Sequence, residues 1–424
     1  MNSAALYRKF TGTAGIMFLS RVIVMLSGII FARYLGPEQY GLYGYTLSII
    51  VILTMPVIAG LPNLIVRELA QFQLESKLGL AKGIINWSRF YVILGSIIIM
   101  IGAYVALYFN LFEGNVAELL WIALLLIPIR GLLTQQSAIL NGLNKPVLSQ
   151  LPVTIFAPLV TLVILLLCIL FEMPLSGLEL IFINVLASFI AFIWSAMFLF
   201  RITNNLFFKN KVIYKIKSWH RSLLPFTLIT LITTFNAELA SILLGWFVGF
   251  ESVAYFKIAV QSVGVIGIGL VAINVVIMPN ISRLYKSGDL KSTQELLTKS
   301  VRLSVLITIP PLVLLILFGD KLIGLLFGDE YIVAYPMVVI LAMGQLVSVC
   351  MGSVALVLNM TGHEGKSLKS VLVSLFVSLI LYILILPIYG GLGASIVVSI
   401  CLVLLNILMV FDVVKSSGLK TWLR

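Results

Sequence analysis

Charged side chains are scarce in this chain of 424 residues. Asp, Glu, Lys and Arg make up 10% of it, whereas 61% of the residues are hydrophobic. An ordinary soluble domain carries about 25% charged residues. The composition therefore excludes a soluble globular protein and predicts an integral membrane protein.

Residues that bind metals or form disulfides are also rare. The three cysteines, Cys168, Cys350 and Cys401, all fall in apolar stretches, and an odd number of lipid-buried thiols argues against a disulfide framework. The two histidines, His220 and His363, lie in separate loops. Their separation indicates that the chain has no zinc site. We expect no metal and no cofactor.

Long loops on the outer side of the membrane are missing too. Each predicted outer loop has a few to about a dozen residues, too few to form a catalytic domain. We therefore expect a protein that is not an enzyme. The same absence argues against a membrane-embedded sugar polymerase or ligase, which would need a large periplasmic loop.

Twelve apolar stretches make up most of the chain. Each has roughly 20 residues, about the length at which a helix crosses a hydrocarbon core of about 30 Å. Backbone groups in lipid must pair within their own segment, so each stretch is predicted to be a helix. The predicted spans are 11–33, 41–63, 88–110, 119–141, 148–170, 178–200, 223–247, 254–278, 301–319, 333–359, 370–389 and 392–412.

The loop charges predict the orientation. Of the 28 Lys and Arg, 23 lie on the side of the membrane that holds the N-terminus. The opposite loops carry acids instead: Glu38, Glu113, Glu118, Glu172, Glu179, Glu251, Asp320, Asp329 and Glu330. The positive-inside rule then predicts that both termini are cytoplasmic. The net charge of +12 is a topology signal facing anionic lipid, so no nucleic-acid partner is expected.

The second half of the chain repeats the first. Gly36 and Glu38 follow the first span as Gly249 and Glu251 follow the seventh, a shift of 213 residues. Six spans are an even number, so both copies insert with the same orientation. The expected fold is an all-α membrane protein with twelve transmembrane helices in two pseudo-symmetric six-helix lobes around a central cavity.

The predicted domain limits follow from this repeat. We expect an N-terminal lobe at 1–204, a basic cytoplasmic linker at 205–218 and a C-terminal lobe at 219–424. A second basic connection, 281–299, mixes leucines with lysines and arginines, and we expect an interfacial helix there.

Cations inside the spans are the candidate substrate ligands, because a charge in lipid costs about 2.5–3.5 kcal/mol. Arg21 could bind an anion or form a structural pair between helices, and Arg130 could face a cavity or make a packing hydrogen bond. Lys257, which shares a stripe with Gln261, could bind substrate or extend to the outer interface. Arg33 lies near a span end, where reaching the interface is favoured.

Glu238 is the one acid deep in a predicted span. It could carry a coupling proton or neutralise a nearby arginine. The excess of cations over this single acid favours an anionic substrate. Arginine and lysine both suit phosphate, the former through its planar fork.

Several segments resemble the polysaccharide-export flippases of the multidrug, oligosaccharidyl-lipid and polysaccharide exporter superfamily. The segments are Ala32–Gly41, Glu238 with Leu244-Gly245, Val253-Ala254-Tyr255 and Leu386–Ser395. The resemblance covers the whole chain. Ser20-Arg21 also looks like the Ser-Arg pair in the first helix of lipid II flippases, which have two more helices. Where polysaccharide exporters usually have an aspartate, this chain has Glu238.

The resemblance implies a flippase of the bacterial inner membrane. Its substrate would be an undecaprenyl-diphosphate-linked oligosaccharide repeat unit, moved by alternating access as in O-antigen or capsule synthesis. A polysaccharide polymerase and chain-length proteins are the implied protein partners. The alternative is a multidrug and toxic-compound exporter coupled to cations, which shares the fold but usually needs acids in its cavity.

Overall fold

The computed structural model describes residues 3–112, 114–173, 175–207 and 211–423. The predicted loop charges Glu113, Lys209 and Arg424 lie outside the described residues, as does part of the predicted linker. Within these ranges the regular structure is entirely helical. Its α-helices are α1 Ser3–Ile58, α2 Leu61–Leu74, α3 Leu78–Tyr108, α4 Asn115–Ala123, α5 Leu126–Gly142, α6 Pro146–Gln150, α7 Ala157–Leu170, α8 Gly177–Phe207, α9 Ile216–Phe247, α10 Phe250–Lys286, α11 Leu290–Phe327, α12 Tyr335–Met351, α13 Val354–Met360 and α14 Glu364–Ser417.

The helices account for the predicted spans. Nine helical stretches within the described residues are long and apolar enough to cross a membrane. Two of them, Leu19–Gln73 and Glu364–Ser417, are 55 and 54 residues long. The first covers most of span 11–33 and all of span 41–63, and the second contains spans 370–389 and 392–412. The prediction of an all-α membrane protein is confirmed, whereas the count of twelve spans stays a prediction.

Glycines turn the chain inside the two longest helical stretches. A straight helix of 55 residues would be about 80 Å long, far more than a hydrocarbon core of about 30 Å. Gly36 in α1 has φ 74° and ψ 172°, and Gly390 in α14 has φ 51° and ψ −130°. Left-handed φ values of this kind are readily adopted by glycine. Each glycine therefore separates two consecutive helical segments.

The contacts divide the chain into two compact units. Unit 1 contains residues 1–35 and 42–238, and α5 lies at its centre, packed against α2, α3, α6 and α8. A π-helical turn, Leu151–Phe156, joins α6 to α7. The helices of unit 1 bury aliphatic side chains such as Leu64, Ile84 and Leu126.

Unit 2 contains residues 36–41 and 239–424. Helix α12 packs against α10, α11 and α14, and a 3₁₀ turn, Asp329–Ala334, precedes it. The segment after α14 is fixed to this unit. The side chain of Gln294 accepts from the backbone N of Lys420 at 2.8 Å and donates to its carbonyl oxygen at 2.7 Å.

The contact division falls within α9, between Glu238 and Leu239. The lobe limits predicted from the sequence, 1–204, 205–218 and 219–424, stay a prediction. The interfacial helix predicted over 281–299 is wrong. Helix α10 continues to Lys286 and α11 begins at Leu290, so the basic residues lie on the ends of two long helices.

Candidate functional site

Arg130 lies in the middle of unit 1, on α5, where its side chain is partly buried. Its Nη2 donates to Oδ1 of Asn184 on α8 at 2.9 Å. Asn184 Nδ2 lies 3.1 Å from the hydroxyl oxygen of Tyr43 on α1. Three helices thus bring together one cation, one amide and one phenol. We call these three residues the Arg130 cluster.

The donor and acceptor roles in the Arg130 cluster are fixed by arginine, which only donates. Asn184 must present its carbonyl oxygen to Arg130, so its NH₂ faces Tyr43 and the phenol oxygen accepts. The Tyr43 proton then remains available for another acceptor. The Tyr43 ring is buried and held edge-on by Phe31, with ring centroids 5.6 Å apart.

The charge of Arg130 has neutral neighbours. Among the residues that the structure describes, no acid lies within salt-bridge distance of its guanidinium, and Asn184 is its recorded acceptor. A guanidinium has five N–H donors. Within the described residues Asn184 accepts from one of them, so the other N–H groups and the Tyr43 hydroxyl proton have no acceptor among these residues. The alternative of a packing hydrogen bond accounts for only one of these donors.

Other polar residues of α5 serve packing. Ser137 donates to the backbone oxygen of Ser149 at 2.6 Å. Gln135 is buried, and its Nε2 donates to Ser88 Oγ on α3 at 2.9 Å. Asn141, near the end of α5, is exposed. Arg130 is the one charged residue of this helix.

Glu238 lies on α9, at the end of the part of that helix that belongs to unit 1. The Oγ of Ser48 on α1 donates to Glu238 Oε2 at 2.7 Å. Ser48 is buried. Thr230, two turns before Glu238 on α9, donates to the Phe226 carbonyl of its own helix at 2.9 Å. The acid is therefore held by a hydroxyl of another helix.

The other predicted substrate ligands are not part of the Arg130 cluster. Arg21 is exposed on α1, and no acid of the described residues lies within salt-bridge distance of it. Arg33 is exposed near the Gly36 turn. In unit 2, Lys257 and Gln261 are partly buried one turn apart on α10. Their roles as substrate ligands stay predictions.

Sequence reasoning did not single out Asn184, Ser48 or Tyr43 as site residues. Asn184 could have been noticed as a lone amide in the apolar stretch 178–200. Tyr43 lies two residues after the motif Ala32–Gly41. Ser48 carried no signal, because a serine in a membrane helix ordinarily bonds to its own backbone.

The fold defines the class of protein. The structure superposes on the lipid II flippase MurJ in an inward closed conformation with a TM-score of 0.75 and 16% identity, covering 95% of this chain and 87% of that one. An inward-facing multidrug resistance MATE family transporter superposes with a TM-score of 0.76 and 15% identity, covering 94% and 96%. The chain therefore has the two-lobe fold of MurJ and MATE proteins.

The sequence comparisons define the family. Residues 6–285 match the family described as polysaccharide biosynthesis protein, and the chain belongs to that family. The capsular polysaccharide biosynthesis protein CapF of Staphylococcus aureus is 26% identical over 191 residues, 45% of this chain and 48% of CapF. The probable low-salt glycan biosynthesis flippase Agl15 of Haloferax volcanii is 25% identical over 127 residues, 29% and 26% of the two chains. The match thus spans less than half the length of these relatives.

Proposed function

We propose that this protein flips an undecaprenyl-diphosphate-linked oligosaccharide repeat unit from the cytoplasmic to the periplasmic leaflet by alternating access. Three observations support the proposal: the polysaccharide biosynthesis family, the similarity to proteins named for capsule synthesis and glycan flipping, and the MurJ-like fold.

The observation that carries the proposal is the Arg130 cluster. A diphosphate offers only acceptor oxygens and negative charge, which match the guanidinium N–H groups and the Tyr43 hydroxyl. A bound anion would also offset the cost of placing a cation in the membrane, about 2.5–3.5 kcal/mol. An organic cation would be repelled by the same group.

The other cations extend this assignment. Arg21 and Arg33 on α1, and Lys257 with Gln261 on α10, are proposed to contact the diphosphate or the sugars during transport. Glu238 is proposed as the coupling group, exchanging a proton while Ser48 holds its carboxylate. An inside-negative potential favours outward movement of an anion by up to about 2.3 kcal/mol per charge per 100 mV.

Substitution of Arg130 in cells that depend on this protein tests the proposal. We expect Arg130→Ala to abolish surface polysaccharide and to accumulate undecaprenyl-linked repeat units inside the cell, at matched protein levels. Arg201→Ala is the control, because it removes an exposed cation at the far end of α8. Wild-type polysaccharide in the Arg130→Ala strain would contradict the proposal.

A multidrug exporter is the second candidate, since MATE transporters share the fold. The neutral surroundings of Arg130 disfavour cationic drugs. An accumulation assay with organic cations separates the candidates. Efflux of such cations by the wild-type protein, with no effect on lipid-linked sugars, would favour the exporter.

A further inference from the structure

We propose that residues 211–217 form a binding surface for anionic phospholipid headgroups at the basic edge of unit 1. We call this segment the strap. It has the sequence Lys211-Val-Ile-Tyr-Lys-Ile-Lys217 and precedes and enters the first turn of α9. The inference goes beyond flipping, because it concerns lipid that stays bound rather than lipid that is transported.

The backbone of the strap is seated on α3. The amide of Ile213 donates to the carbonyl oxygen of Gly79 at 3.0 Å. A Cβ on Gly83 would lie 1.8 Å from the carbonyl oxygen of Ile213, and one on Gly79 would lie 2.6 Å from that of Lys211. The two glycines let the strap backbone lie directly on the helix. The strap is therefore a fixed feature of unit 1.

The apolar side chains of the strap are exposed outside the predicted spans. Ile213, Tyr214 and Ile216 have relative exposures of 54%, 52% and 47%. Lipid covers exposed apolar side chains of this kind when they lie at the boundary between headgroups and acyl chains. The strap directly precedes the span predicted over 223–247, so it lies close to the membrane boundary.

The charge of the strap identifies the lipid. Lys211, Lys215 and Lys217 are all exposed, and the sequence has no Asp or Glu from residue 180 to residue 237. Glu75 interacts electrostatically with Lys215 of the strap, but it pairs with Lys77 at 2.6 Å. The surface is thus basic and apolar together. That combination fits anionic phospholipid rather than neutral lipid.

Bulk phospholipid fits the strap better than the diphosphate of a transported substrate. Lys211 and Lys215 are four positions apart in a non-helical segment, which can span up to about 13 Å. Headgroups of neighbouring lipids can bind each lysine separately at such a spacing, whereas a single diphosphate is much shorter. Lysine acts here as a point charge, without the planar fork of arginine.

The first test measures lipid binding to the purified full chain in detergent by native mass spectrometry, with phosphatidylglycerol or phosphatidylcholine as the probe. Each lysine near an anionic surface contributes about fivefold to binding. We expect Lys211→Gln/Lys215→Gln/Lys217→Gln to weaken phosphatidylglycerol binding at least about tenfold and to leave phosphatidylcholine binding unchanged.

The matched control removes three exposed lysines of unit 2, in Lys291→Gln/Lys299→Gln/Lys369→Gln. We expect this control to bind phosphatidylglycerol within about twofold of wild type. Equal losses in both variants, or no loss in the strap variant, would overturn the proposal, because binding would then follow total charge or occur elsewhere.

Two further arms test the occupant. Ile213→Ser/Tyr214→Ser is expected to weaken phosphatidylglycerol binding severalfold without changing the charge, and wild-type binding in this variant would count against an interfacial surface. Inorganic pyrophosphate at equal concentration should not displace phosphatidylglycerol from the wild-type protein. Displacement would overturn the assignment to bulk lipid and indicate a diphosphate site.

Discussion

Helices α5 and α8 of unit 1 and helices α12 and α14 of unit 2 are each joined by an asparagine. In unit 1, Asn184 accepts from Arg130 at 2.9 Å. In unit 2, Asn406 Nδ2 donates to Ser348 Oγ at 3.1 Å and to the Leu402 carbonyl at 2.8 Å. Each unit thus has a polar hydrogen bond between two helices, and the bond includes a cation in unit 1 but not in unit 2.

The glycine turns of the two halves show both likeness and difference. Gly36 and Gly249, which align in the repeat, have ψ values of 172° and 170° with positive φ. Gly60 has no such counterpart. It precedes Leu61-Pro62-Asn63, which resembles Met278-Pro279-Asn280 in the second half, and α10 runs unbroken through that segment. In unit 1, Thr227 Oγ1 donates to the Ala59 carbonyl at 2.9 Å, which satisfies a backbone group at this break.

The largest expected effect on transport comes from removing Arg130, the charge that distinguishes the α5–α8 pair from the α12–α14 pair. We expect Arg130→Ala to lower transport of lipid-linked oligosaccharide in proteoliposomes by more than about tenfold, since a charge-assisted contact contributes more than about 1.4 kcal/mol. Ser348→Ala, in the neutral pair, should change it less than twofold. Equal losses would show that both pairs act in packing alone.

The next effect concerns the helix break that unit 2 lacks. Gly60 has φ 73°, and a Cβ there would lie 2.5 Å from the Thr227 backbone nitrogen. We expect Gly60→Ala to destabilise the protein by more than about 1 kcal/mol and to lower its Tm in detergent. Gly102→Ala, in open space on α3, is the control and should leave Tm unchanged or slightly raised. An unchanged Tm for Gly60→Ala would mean that the break relaxes freely.

The first predicted span of each repeat carries one charge away from its ends: Arg21 on α1 in the first and Glu238 on α9 in the second. The third expected effect concerns the acid. Glu238→Gln keeps an acceptor for Ser48 but removes the titrating group. We expect transport driven by an imposed proton gradient to fall about threefold and to lose its dependence on that gradient. Ser48→Ala should reduce the rate less and keep the dependence. Unaltered gradient dependence in Glu238→Gln would exclude a coupling role.

The smallest expected effect is on Tm and concerns the N-termini of α3 and α11, the helices that follow the second and eighth predicted spans. Lys77 precedes α3 as its N-cap residue and makes no side-chain capping bond, whereas Asp289 caps α11 by accepting from the Ser292 amide at 3.0 Å. That hydrogen bond holds the pKa of Asp289 below its ordinary value. We expect Asp289→Ala to lower Tm slightly, and Lys77→Ala to change it less.

The pH dependence of this cap has a definite sign. Because the folded pKa of Asp289 is depressed, its contribution to stability is present above the ordinary carboxyl pKa of 3.8 and is lost as pH falls through the folded value. The difference in Tm between wild type and Asp289→Ala should therefore be constant at neutral pH and shrink below about pH 4. A difference that persists in acid would mean that the effect is not the charged cap.

Parts of the fold and site were predictable because they depend on local rules. The predicted apolar stretches are mainly helical, with short breaks such as the one between Met351 and Val354, and Arg130 and Glu238 were identifiable as costly charges in them. The interfacial helix at 281–299 was predicted wrongly, since the amphipathic pattern there also suits the polar ends of two long helices. The neighbours of Arg130 were not predictable, because Tyr43 and Asn184 lie 87 and 54 residues away in the chain.

The sequence by itself determined the membrane class, the helical structure and the excess of cations in the spans, because lipid forces every backbone group to pair locally and makes each buried charge conspicuous. The tertiary structure decided what surrounds those charges. Only packing among α1, α5 and α8 gives Arg130 neutral partners and leaves the Tyr43 proton free, since hydrogen-bond roles depend on which helices meet and at what depth.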